Sequence, residues 1–64
     1  MNLKNKVILV TGGTSGIGEA CTRHFAALGA KVVTTSNQQD RGEALEDELR
    51  AAGREVRFIH ADVS

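Results

Sequence analysis

Thr11-Gly12-Gly13-Thr14-Ser15-Gly16-Ile17-Gly18 is the stretch that most limits how this chain folds. An unbroken apolar run, Val7-Ile8-Leu9-Val10, leads into it. Residues at helical spacing lead out of it: Ile17, Ala20, Cys21, His24, Phe25 and Leu28. The run without polar alternation is the pattern of a parallel strand covered on both faces. The sequence therefore predicts a strand over Lys6 to Thr11, a glycine-rich turn, and a helix whose apolar stripe packs back on the strand. Gly29 stands where a left-handed residue ends such a helix.

The pattern then continues. Lys31 to Thr35 reads as a second strand, with Val32-Val33 again unalternated. Leu45, Leu49 and Ala52 give a second helical stripe stopped by Gly53, with Asn37 as the expected N-cap and Asp40 in a first turn that favours negative charge. Glu46 and Arg50 are four apart in the order that supports a solvated helix face. Glu55 to His60 alternates more and reads as an edge strand with one wetter face. The order is β-α-β-α-β, an α/β fold. Right-handed crossovers between parallel strands place three strands in spatial order 3-2-1. This is half of a doubly wound Rossmann-like fold, and residues 1–64 form one partial domain. The outer edge of the first strand is expected to be bare, and a bare apolar edge invites pairing with another chain.

Composition narrows the partners. Eight basic residues balance eight acidic ones, which argues against nucleic acid or a polybasic membrane contact. The two aromatic residues, both Phe, make no base-stacking platform. No run is long enough for a signal-peptide core or a membrane span. The lone Cys21 allows no internal disulfide and fits a reducing compartment, so the cytoplasm is the expected location. A core this small, without disulfide or metal, is expected to be marginally stable.

The glycine turn carries the chemistry. A turn that leaves a buried strand and opens a helix presents free backbone N–H groups at a positive helix end, a ready site for pyrophosphate. Gly12 permits the turn off the strand, Gly16 lets the backbone approach phosphates, and Gly18 lets the helix pack close to the sheet. Thr14 and Ser15 add hydroxyl donors. The bland alternative is a ligand-free flexible connector, which the strand–turn–helix placement disfavours. The stretch is not the lysine-bearing phosphate loop, because no lysine follows the last glycine.

Thr-Gly-x-x-x-Gly-Ile-Gly resembles the cofactor signature of the short-chain dehydrogenase/reductase family. Lys6 to Thr11 and Ala30-Lys31-Val32-Val33 look like that family's first and second strands, and Arg41 to Leu45 resembles the start of its second helix. Ala61-Asp62-Val63-Ser64 looks like its Asp-Val step after the third strand. The resemblance implies that Gly12, Thr14, Ser15, Gly16, Ile17 and Gly18 bind a nicotinamide dinucleotide. It also implies that Asp62 hydrogen-bonds the adenine amino group and that Val63 packs beside the ring. The plain alternative for Asp62 is a strand-end turn residue.

The end of the second strand bears on which dinucleotide binds. An acidic residue there accepts from the ribose hydroxyl and repels a 2′-phosphate. This chain has Ser36 at the position where NAD-using members of the family carry Asp, followed by Asn37, so nothing excludes NADP(H). The places where NADP-using members carry a basic residue hold Ser15 and Asn37, neither of them cationic. Arg41 could reach the phosphate from the second helix, although a solvated charge is its simpler reading. NADP(H) is slightly favoured over NAD(H).

Other candidates have simpler readings. Cys21 and His24 are three apart, but zinc needs more ligands and His60 is the only other imidazole, so no metal site is expected. Glu19 is expected to face solvent. The Glu43, Glu46, Asp47 and Glu48 group is expected to be a solvated helix face.

The resemblance implies hydride transfer between a carbonyl and an alcohol, by a family that uses a Tyr-x-x-x-Lys pair and an upstream serine. This chain has no tyrosine, so no catalytic residue is expected within it. Two hypotheses follow: the dinucleotide-binding portion of an oxidoreductase, truncated before its catalytic region, or a stand-alone binding or assembly module that self-associates through the first-strand edge.

Overall fold

A computed structural model describes residues 3–12 and 15–61. Three strands and two helices alternate: β1 (Val7–Thr11), α1 (Gly16–Ala27), β2 (Lys31–Ser36), α2 (Gln39–Ala51) and β3 (Val56–His60). The strands form one parallel sheet with β2 in the centre, which is the expected 3-2-1 order. Ile8 pairs with Val32, and Val32 with Val56, so the three strands run in one register across the sheet.

Both helices cover the same face. Ile8 and Val10 of β1, Val32 of β2 and Val56 of β3 meet Ala26 of α1 and Leu45 and Leu49 of α2 in one apolar core. The other face carries Val7 and Leu9, 71% and 65% exposed. This corrects the expectation that the apolar strands are covered on both faces: only alternate residues of β1 are covered here. Its outer edge pairs with no strand among the described residues.

The stripe of α1 is also corrected. Ile17 is 83% exposed, and Ala20 and His24 are exposed too. The buried residues are Gly18, Thr22 and Ala26, four apart. Small side chains let the helix lie close to the sheet. Thr22 is fully buried because its hydroxyl donates to the Gly18 carbonyl at 2.9 Å, and its oxygen stands 3.5 Å from that of Thr34, also fully buried. A polar group satisfied locally can be buried at little cost.

Gly29 and Gly53 adopt the positive φ expected after each helix, at 94° and 84°. The N-cap of α2 is Gln38, not Asn37, and its side chain makes no capping bond. Ala52, expected in the buried stripe, is the exposed C-cap; Gly42 is buried instead. The Phe58 ring fills the space beside Gly42, where a Cβ would stand 2.1 Å from a ring carbon.

The acidic face of α2 is not merely solvated. Glu46 accepts a hydrogen bond from the Phe58 amide at 2.7 Å instead of pairing with Arg50. Glu48 holds Arg23 of α1 through both its oxygens, one at 3.0 Å. Glu19, expected to face solvent, is partly exposed and pairs with the same Arg23 at 3.2 Å. Arg23 thus bridges both helices.

Candidate dinucleotide site

The site forms where β1 ends, α1 begins and β2 ends. Gly12 has φ +67°, a left-handed turn that favours glycine and takes the chain off β1. Ser15 then caps α1. Its oxygen accepts from the Gly18 amide at 3.2 Å while its hydroxyl donates to the Gly12 carbonyl at 2.8 Å. The Ser15 amide donates to the same carbonyl at 3.1 Å. The Ser15 hydroxyl therefore organises the loop. The amides of Gly16 and Ile17, in the first turn of α1, find no acceptor among the described residues. They lie at the positive end of the helix, where an anion would complete them. A Cβ added at Gly16 would meet nothing within 4 Å, so the backbone there borders open space. Amides without an acceptor among the described residues, beside backbone that borders open space, fit the phosphates of a dinucleotide.

Across the opening stands the end of β2. Ser36 is buried, extends the strand one residue beyond the expected end, and accepts from the Gln38 amide at 3.0 Å. Asn37 is exposed, and its carbonyl lies 3.3 Å from Nε2 of His60 at the end of β3. A cavity of about 220 Å³ is lined by Gly12, Ser15, Gly16, Ser36, Asn37 and Gln38, with Arg41 on its wall. The structure therefore brings together Gly12, Ser15, Gly16, Ser36 and Asn37 of the expected set. Ile17 and Gly18 follow in the capped turn, Gly18 buried and Ile17 exposed. Thr14, Asp62 and Val63 lie outside the described residues, as does Gly13.

Gln38 is the lining residue that the sequence did not single out for the site; Arg41, weighed there as a contact to a 2′-phosphate from the second helix, lines the cavity as well. With the cap at Gln38, Arg41 falls in the first turn of α2, as the sequence had it, and lines the same cavity as the end of β2. Arg41 is exposed as a side chain, yet it borders the cavity. No group of three or more His, Cys, Asp or Glu residues that could hold a metal occurs among the described residues. Nor is any described helix long and apolar enough to cross a membrane.

This arrangement, a glycine turn feeding a capped helix beside a parallel strand end, is shared with known proteins. The short chain dehydrogenase family model matches residues 6–64. The chain belongs to the short-chain dehydrogenase/reductase family. It is 44% identical over 62 residues to 2,5-dichloro-2,5-cyclohexadiene-1,4-diol dehydrogenase LinX of Sphingobium indicum, covering 97% of this chain and 25% of that protein. It is likewise 44% identical to the A-factor type gamma-butyrolactone 1′-reductase of Streptomyces virginiae, covering 97% of this chain and 24% of that one. A short chain dehydrogenase/reductase from Burkholderia phymatum, solved in complex with NAD, superposes with a TM-score of 0.90 at 36% identity, over 98% of this chain and 22% of that one. A metagenomic short-chain oxidoreductase in complex with NADP gives 0.86 at 39% identity, over 95% and 28%. The chain thus spans about a quarter of the length of these relatives.

Proposed function

We propose that this chain is the dinucleotide-binding portion of an oxidoreductase that transfers hydride between a carbonyl and an alcohol, and that it takes NADP(H) in preference to NAD(H). The observation that carries the reading is the single cavity wall shared by the α1 loop and the end of β2. The amides of Gly16 and Ile17 would hold the pyrophosphate, with Gly12 and Ser15 setting the loop. Ser36 and Asn37 would meet the adenosine ribose, and Asp62 and Val63 the adenine. When bound, the nicotinamide supplies the hydride chemistry. With no tyrosine in this chain, the acid/base group of the reaction belongs elsewhere in such an enzyme.

The cofactor preference rests on charge. Ser36 carries no negative charge to repel a 2′-phosphate, and Arg41 stands on the same wall as a cation to attract one. Calorimetric titration of NADP⁺ and NAD⁺ tests this. NADP⁺ should bind more tightly, and Arg41→Gln should weaken NADP⁺ roughly tenfold or more, the scale of one charge-assisted hydrogen bond, while leaving NAD⁺ nearly unchanged. Equal affinities that ignore Arg41→Gln would sink the preference. The lone Cys21 suits a reducing compartment, and we place the protein in the cytoplasm.

A second reading has its own support. The exposure of Val7 and Leu9 beside an edge of β1 that pairs with no described strand suits a binding module that assembles with another copy and catalyses nothing. Light scattering over a concentration series distinguishes it. A mass that stays that of one chain would rule out self-assembly.

A further inference from the structure

We propose a second anion site at the opposite pole of the sheet, a cavity that takes a small, multiply charged oxyanion. Where β2 and β3 begin, Lys31, Arg50, Arg54 and Arg57 surround a cavity of about 290 Å³, larger than the one at the glycine loop. Val32 and Val56, both buried, line it as well. The site is independent of the dinucleotide reading, because it draws on neither the loop nor the end of β2.

Four cations on one small cavity repel one another unless something negative stands among them. The chain supplies little. Glu55 is the one carboxylate on the lining, and it reaches only Lys31, at 4.0 Å with both side chains more than half exposed. An exposed pair this loose is worth little and is easily exchanged. Arg50, Arg54 and Arg57 form no ion pair with any described carboxylate. Arg50 has a natural partner four residues back, but Glu46 is turned to the Phe58 amide. Glu48 and Glu19 are held by Arg23. Glu46, Glu48 and Glu19 are thus engaged elsewhere, Asp47 three residues before Arg50 pairs with none of these arginines, and Arg50, Arg54 and Arg57 remain without a carboxylate partner among the described residues.

Helix capping does not account for them either. At the end of α2 the carbonyls of Glu48, Leu49 and Arg50 accept backbone amides from Ala52, Arg54 and Gly53 at 3.2, 2.9 and 3.0 Å. The arginine side chains are not needed as caps. What remains is a set of planar donors that match phosphate or carboxylate oxygens in pairs. The ligand is small because the cavity is, and because a chain with eight basic and eight acidic residues offers no extended basic track to a polymer.

The probe is inorganic pyrophosphate, followed by amide NMR of the protein at constant ionic strength. The expected result is saturable movement at Gly53, Arg54, Glu55 and Arg57, separable by its own midpoint from any movement at Gly12 to Gly16. In the exposed double variant Arg54→Gln/Arg57→Gln the midpoint should rise at least tenfold. Arg54→Lys/Arg57→Lys, which keeps the charge and loses the paired donors, should fall between. Movement that equimolar sodium chloride reproduces overturns the proposal. So does a midpoint that the charge-removing variant leaves in place.

Discussion

The backbone amide of Phe58 donates to Oε2 of Glu46 at 2.7 Å, so one position of the edge strand β3 is closed by a carboxylate of the helix above it. Strand edges present unpaired amides that invite another chain. Glu46→Ala is expected to leave this half-buried amide without its charged acceptor and to cost about 1–3 kcal/mol. Glu46→Gln retains an acceptor oxygen and should recover part of the loss. Urea unfolding of both variants checks this, and equal stability of all three proteins would contradict it.

The Phe58 ring sits against Gly42, leaving no room for a methyl group. In an exposed helix Gly→Ala would stabilise by roughly 1 kcal/mol. Here the ring must swing out of its place, so Gly42→Ala is expected to destabilise by about 1–3 kcal/mol. Combining it with Phe58→Leu should restore the ordinary helix gain. A double-mutant cycle in denaturant measures the coupling, and additivity would show that the two residues do not compete for space.

These contacts explain where the sequence was legible and where it was not. Strand order, the helix-ending Gly29 and Gly53, and the turn at Gly12 follow from local rules that tertiary packing does not alter. The face of α1 did not follow, because hydrophobicity picked Ile17 while close packing picked Gly18, Thr22 and Ala26. Thr22 hides its polarity in a bond to its own helix, which composition cannot reveal. Val7 and Leu9 misled in the opposite direction: their apolar character suits a covered face, and the two helices described here cover only the other one. At the site, Gly12 and Gly16 were legible from spacing. Arg41 was legible as a first-turn residue of α2, but its exposure made a solvated charge the simpler reading, and only the shared cavity sets it beside the end of β2.

Arg23 joins the two helices through Glu48, and its guanidinium is held above its ordinary pKa by the hydrogen bonds it donates to Glu48 first and Glu19 second. Hydrogen bonding to Arg23 is also what lowers the Glu48 carboxyl. A depressed carboxyl stabilises the fold above its unfolded pKa, and that contribution disappears as pH falls through the folded value. The wild type should therefore lose stability on acidification below the usual glutamate range. Glu48→Gln should show a flatter profile there and be unchanged in slope near neutrality. Unfolding midpoints across this acid range decide it. Both groups are exposed, so added salt should shrink the difference.

Ser15 serves the loop twice, as acceptor for Gly18 and donor to Gly12. Ser15→Ala removes both bonds. Loss of the N-cap is expected to cost about 1 kcal/mol. The dinucleotide should also bind more weakly, because the loop would no longer hold the Gly16 and Ile17 amides in place. Thermal unfolding with and without dinucleotide measures the two effects together. A normal melting shift on adding dinucleotide would show that the cap does not organise the site.

The most direct test of the dinucleotide site is an amide NMR spectrum of the protein titrated with NADP⁺ and then NAD⁺. The account predicts a dispersed spectrum in which Gly12, Ser15, Gly16, Ile17, Ser36 and Asn37 move, with Arg41 following NADP⁺ more than NAD⁺ and saturation earlier with NADP⁺. A dispersed spectrum in which these residues stay still with either dinucleotide would contradict the site. A collapsed spectrum that neither ligand disperses would contradict the fold on which it is built.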